Sequence, residues 1–84
     1  MMNEKVAGIL YEIADLLELK EERFKPQAYR KAARNIESLQ EDIVEVHKRG
    51  QLKDIPGVGE AIEAKVLEYI ATGQVAFLER LRVA

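Results

Sequence analysis

Leu52–Gly73 reads LKDIPGVGEAIEAKVLEYIATG. Within it, Ile55-Pro56-Gly57-Val58-Gly59 makes a tight turn between two apolar-periodic segments. Glycine at 57 and at 59 permits backbone angles with positive φ and removes any Cβ that would hold a ligand away from the main chain. Beyond Gly59, the apolar residues Ile62, Val66, Tyr69 and Ile70 recur at helical spacing, and Gly73 after Thr72 is a helix stop. The glycine turn therefore precedes a helix N-terminus, where outward amide N–H groups and the helix dipole favour negative charge. One phosphate of a nucleic-acid backbone suits that arrangement.

The string resembles the helix-hairpin-helix motif, a DNA-binding element that is indifferent to base sequence. The resemblance implies that the first glycine allows the turn and the second lets a phosphate approach amides near Gly57, Val58, Gly59 and Glu60. A Pro-Gly-x-Gly string alone also joins helices that bind nothing. The full stretch is more specific, because the turn, the helical period, Lys65 and Thr72-Gly73 all fall at the family's spacing.

With 84 residues the chain is expected to form one domain, 1–84. A chain of this size buries only about 60–65% of its unfolded surface, so its stability margin is thin. It has no cysteine, which excludes disulfides and thiolate zinc sites, and its one histidine, His47, cannot build a metal cluster. No apolar run approaches the roughly 18 residues of a membrane span, and no signal-peptide pattern opens the chain. The expectation is a soluble, monomeric protein of the cytoplasm, nucleoid-associated if bacterial or archaeal.

The net charge of −2 argues against indiscriminate polyanion binding, but its distribution is uneven. Residues 1–19 carry −3 and residues 35–47 carry −4, whereas residues 20–34 carry +4 and residues 48–59 carry +2. Positive charge thus gathers in two blocks, one of them beside the glycine turn. Solvated cations on an ordinary mixed surface give the same pattern.

Outward from the turn the chain reads as helices. Residues 3–19 form an amphipathic helix with Asn3 as N-cap, an apolar stripe from Val6 to Leu17, and an acidic face of Glu12, Asp15 and Glu18. After the polar connection 20–25, Pro26 opens a second helix to about Leu39, with Tyr29, Ala32, Ala33 and Ile36 facing the core. Small Ala28, Ala32 and Ala33 let a neighbouring helix come close, and Arg30 and Arg34 share a side, flanked by Lys31. Residues 41–48 make a third helix ended by Arg49-Gly50, residues 51–55 a short one, residues 60–72 a fourth main helix, and residues 74–82 a last short one. No strand alternation survives, so the fold class is all-α: a compact array of four main helices with short additions, containing the hairpin.

Two further stretches extend the resemblance over nearly the whole chain. Ala28-Tyr29-Arg30-Lys31-Ala32-Ala33 followed by Ile36, and the opening Ile13-Ala14-Asp15-Leu16-Leu17-Glu18, are similar to the amino-terminal domain of family X DNA polymerases, the polymerase beta type. That resemblance implies binding at the 5′-phosphate side of gapped or nicked DNA in repair. Lys25, Tyr29 and Lys53 fall on positions that help hold the 5′-phosphate, and Arg30 on a nearby DNA-contacting position; Lys31 and Arg34 add positive field. Phe24 stands where animal members have a base-stacking histidine. The resemblance also implies a monovalent cation, K⁺ or Na⁺, on the main-chain carbonyls of Lys53, Ile55 and Val58.

In animal members this domain removes a 5′-deoxyribose phosphate through a lysine Schiff base, and the nucleophile falls on Lys65. Glu68, three residues on, is expected to favour the charged form of that lysine. Ala61 and Phe77 replace basic residues of the family pattern and Ala64 an acidic one. Mg²⁺-dependent nucleotidyl transfer would belong to a polymerase domain that this chain does not include. A DNA-binding or protein-interaction module without catalysis is the alternative.

Overall fold

A computed structural model describes residues 1–83. Among the described residues five α-helices follow one another: α1 (Asn3–Leu19), α2 (Lys25–Glu37), α3 (Ile43–Lys48), α4 (Glu60–Thr72) and α5 (Ala76–Val83). A single 3₁₀ turn, Leu52–Asp54, leads into the glycine hairpin. There is no strand among the described residues, so the all-helical expectation holds.

The core follows from helical periodicity. On α1 the stripe Val6, Leu10, Ile13 and Leu17 is buried, mainly against α2 and also against α5. On α2 Tyr29, Ala32, Ala33 and Ile36 are buried, and the two alanines have no exposed surface at all. Side chains that small let the neighbouring backbone approach. The hairpin joins the same core through Ile55, Val58, Ile62 and Val66. Burying each such aliphatic side chain stabilises the fold by about 1.5–3 kcal/mol, so the hairpin cannot lift away cheaply.

Several boundaries differ from the sequence expectation, each for a local reason. Asn3 does not cap α1; it lies inside the helix at 2% exposure. Its Nδ2 donates to the Glu41 carbonyl at 2.8 Å, and its Oδ1 accepts from the Ile43 N–H at 2.7 Å. The carboxamide therefore clamps the α2–α3 connection onto α1. Helix α3 begins at Ile43 rather than 41, because the Asp42 side chain accepts the Val44 N–H at 3.0 Å and fixes the start there. Helix α2 ends at Glu37, two residues early, where Leu39 N–H bonds back to the Ile36 carbonyl in a tighter turn. Helix α5 begins at Ala76 rather than 74, because the Glu68 carboxylate accepts the Ala76 N–H at 2.9 Å.

One arginine fastens α5 to α1, and another ties the end of α3 to the connection that precedes it. Arg82 of α5 makes a forked contact with Glu12 of α1, at 2.7 and 2.8 Å, and its hydrogen bonds hold the Glu12 carboxyl below the usual carboxylate range. Arg49 does the same to Glu41, with two bonds of 2.8 Å. Both contributions are present above the ordinary carboxylate range near pH 4.3 and are lost as pH falls through the lowered values. Both pairs are solvent-exposed and orient the helices more than they stabilise them.

Asn3 predicts a measurable consequence. Asn3→Ala leaves the Ile43 N–H buried without a partner, so urea unfolding should lose about 1–3 kcal/mol with an unchanged slope. A loss below about 0.5 kcal/mol, the size expected for an ordinary surface change, would contradict the clamp.

Candidate nucleic-acid interface

The hairpin is a hydrogen-bonded four-residue turn, Ile55 to Val58, closed by Val58 N–H donating to the Ile55 carbonyl at 3.0 Å. Pro56 supplies the fixed φ of its second position, and Gly57 at its third has φ of 92°. Positive φ there defines the type II form and favours glycine. A Cβ on Gly57 would also lie 3.1 Å from both Ala32 N and Lys31 Cγ, so the turn is seated directly on α2. Gly59 is different: its φ of −98° and ψ of −169° are ordinary extended backbone, and a Cβ there would meet nothing within 4 Å. Only Gly57 uses the conformational freedom expected of both. What Gly59 contributes is an open approach.

That approach leads to α4. The N–H groups of Gly59, Glu60, Ala61 and Ile62 have no acceptor among the described residues, and the first helical bond, Glu63 N–H to the Gly59 carbonyl, is 2.8 Å. Such groups at a helix start carry the positive end of the dipole. The Val58 N–H, expected to contact phosphate, is instead consumed by the turn, and its side chain is buried. Ile62 was missed by sequence reasoning, although the rule that a helix leaves its first four N–H groups unpaired points to it. The Glu60 carboxylate sits in this first turn and competes with a phosphate for the same field.

In front of these amides lies a cleft of ≈ 370 Å³, lined by Lys25, Ala28 and Tyr29 of α2 and by Gly57, Gly59, Glu60, Ala61 and Ile62. Lys25 and Tyr29 therefore come together with the glycines across two segments distant in sequence. Lys31 touches the hairpin at Gly57, and Lys53 is exposed in the 3₁₀ turn just before it. Ala28 is exposed and lines the cleft, a different use from the close helix approach expected of it.

Arg30 and Arg34 are not brought to this cleft. At about 100° per residue Arg30 leaves α2 roughly opposite the stripe Ala28, Lys31, Ala32 and Asn35 that meets the hairpin, and Arg34 flanks that stripe about 60° from Lys31. Arg30 is bound by Asp15, at 2.9 Å, and by Glu18, the acidic face of α1, and those bonds raise its pKa further. Arg34 lies on the same side, near the Tyr11–Glu37 hydrogen bond of 2.8 Å, and its charge opposes the upward shift that Glu37 imposes on Tyr11. The acidic face of α1 draws Arg30 away, and the cations that line the cleft or touch the hairpin are lysines.

Lys65 of α4 is half-buried beside two rings, its Nζ 5.8 Å from the Tyr29 centroid and 4.7 Å from that of Phe77. Ring faces at such distances attract an ammonium. No carboxylate pairs with Lys65 among the described residues. Glu68, expected to act on it, is occupied in capping α5.

Of the carbonyls expected to face a monovalent cation, those of Lys53 and Val58 accept no hydrogen bond among the described residues, and that of Ile55 accepts one from Val58. Each retains an oxygen lone pair, the hard donor such an ion takes. No group of three or more His, Asp or Glu side chains is arranged for a metal among the described residues.

The fold and this hairpin agree with comparison to known families. The sequence matches the helix-hairpin-helix domain family over residues 1–75, and the chain belongs to that family. Comparison with curated proteins returned no match. Membership in the family is consistent with DNA binding. No helix among the described residues is long and apolar enough to cross a membrane.

The two glycines should separate in a stability measurement. Gly57→Ala places a methyl group against the α2 backbone at positive φ and should cost more than about 1 kcal/mol. Gly59→Ala changes only the N-cap residue of α4, with free space around the new methyl group, and should cost less than Gly57→Ala, below about 1 kcal/mol. Equal losses at the two positions would contradict the division of labour described above.

Proposed function

We propose that this chain binds DNA through its sugar-phosphate backbone, at the 5′-phosphate side of gaps and nicks, as the amino-terminal domain of a family X DNA polymerase. The observation that carries the reading is the row of unpaired amides from Gly59 to Ile62, facing a cleft that also holds Lys25. Gly57 N–H extends that row, while Lys31 and Lys53 surround it with positive charge. Contacts of this type position a protein and read no base sequence. The cleft wall of Tyr29, Ala28, Ala61 and Ile62 is apolar enough to receive the sugar beside the phosphate. Phe24, 81% exposed at the start of α2 next to Lys25, is available to stack on an unpaired base.

K⁺ or Na⁺ on the carbonyls of Lys53, Ile55 and Val58 would supply a bridging positive charge to a DNA phosphate. The chain's own residues do the rest: amides orient the phosphate, and lysines raise its local concentration.

Three lysines near the cleft imply a shallow salt dependence. Binding to a gapped duplex with a 5′-phosphate, followed by fluorescence anisotropy, should give a slope of log K against log[salt] of roughly −3. Lys25→Ala should reduce that slope by about 1, whereas Arg30→Gln, on the far side of α2, should leave it unchanged. A slope near zero for the parent would remove the electrostatic basis of the proposal.

A second reading, 5′-deoxyribose-phosphate lyase activity, draws on the position of Lys65 against Tyr29, which lines the cleft. In that chemistry a neutral Lys65 amine attacks C1′ of the open-chain sugar, water leaves as the Schiff base forms, and β-elimination then breaks the bond to the 3′-phosphate. Borohydride reduction on DNA carrying a 5′-deoxyribose phosphate should trap a covalent adduct with the parent and not with Lys65→Ala. Equal trapping in both would remove Lys65 from the role.

A further inference from the structure

The stripe of α2 that faces the hairpin ends in Asn35, a residue with no part in the reading above. Its Nδ2 donates to the Pro56 carbonyl at 2.7 Å. Among the described residues this is the one side-chain hydrogen bond that reaches the main chain between Ile55 and Ile62. Pro56 and Gly57 are the two central residues of the type II turn, and the peptide between them is its movable part. In the type I alternative that peptide is flipped by roughly half a turn, and the third residue has negative φ. Glycine tolerates both forms, so Gly57 by itself does not choose between them.

We propose that Asn35 is a positioning residue that fixes the Pro56–Gly57 peptide plane, so that the Gly57 N–H faces the bound phosphate; this rests on the DNA reading above. In a trans peptide the N–H points opposite the carbonyl, and no cis bond is present among the described residues. Holding the Pro56 carbonyl toward α2 therefore aims the Gly57 N–H away from α2. The Gly57 N–H has no acceptor among the described residues. A flipped peptide would present a carbonyl oxygen to the phosphate instead, replacing attraction with repulsion.

The bond is solvent-exposed, and the turn is anchored independently by buried Ile55 and Val58. Losing it should therefore affect ligand geometry more than folding. The test compares the parent with Asn35→Ala, using a gapped duplex that carries a 5′-phosphate, with affinity read by anisotropy and amide shifts by NMR. Asn35→Ala should weaken binding by about three- to tenfold, the effect of one lost oriented hydrogen bond, with a urea midpoint close to the parent's. The DNA-induced shift of the Gly57 amide should disappear while those of Ala61 and Ile62 persist, a pattern that general loosening of the fold would not produce. If the variant binds within twofold of the parent with its Gly57 shift intact, or loses all the hairpin shifts together, Asn35 does not have this role. If the parent itself fails to bind, the DNA reading falls, and this inference falls with it.

Discussion

The hairpin works because it is seated on α2. Gly57 lies so close to the backbone of Ala32 that no side chain fits between them, and Asn35 holds the adjoining Pro56 carbonyl. Beneath, Ile55 and Val58 are sunk into the common core. These contacts fix a turn that would otherwise be one of the most mobile parts of a small protein. They also determine what the turn presents outward: an open Gly59 and the unpaired start of α4. The cleft exists because small residues on α2 allow the hairpin to come near, while Tyr29 and Lys25 stand one turn further along and wall it.

Charge is sorted by the same geometry. Arg30, Arg49 and Arg82 are all held by carboxylates, at Asp15 and Glu18, at Glu41, and at Glu12. Exposed pairs of this kind contribute about 0–1 kcal/mol each, so they fix helix orientation more than stability. Their larger effect is to remove arginines from the pool available to a polyanion. Among the described residues Lys25, Lys31 and Lys53 form no ion pair, and they lie near the hairpin. The acidic face of α1 looks elsewhere and would repel a duplex that approached from that side.

Much of this was legible in the residues. Helical periodicity and the glycine and proline punctuation specified the helix types, the core stripe of α1 and α2, and the span of α4, because these depend on neighbours a few residues apart. The role of Asn3 was not legible, since its partners lie about forty residues away, and an asparagine near a helix start reads naturally as a cap. The surroundings of Arg30 were not legible for the same reason: they are set by α1, whose Asp15 and Glu18 pair with it across 15 and 12 residues. Asn35 carried a weak signal, its place on one stripe with Ala28, Lys31 and Ala32. That signal gains meaning only once the hairpin is known to lie on the stripe.

The central claim is that main-chain hydrogens at the hairpin and the start of α4, not the arginines of α2, grip the DNA strand. An NMR titration of the unmodified protein with a 5′-phosphorylated gapped duplex tests this over the whole surface at once. The account predicts that the largest amide shifts fall on Gly57 and on Gly59 to Ile62, with side-chain changes at Lys25 and little movement along Arg30, Arg34 and the acidic face of α1. Shifts concentrated on the Arg30–Arg34 side, with the hairpin amides unmoved, would contradict it.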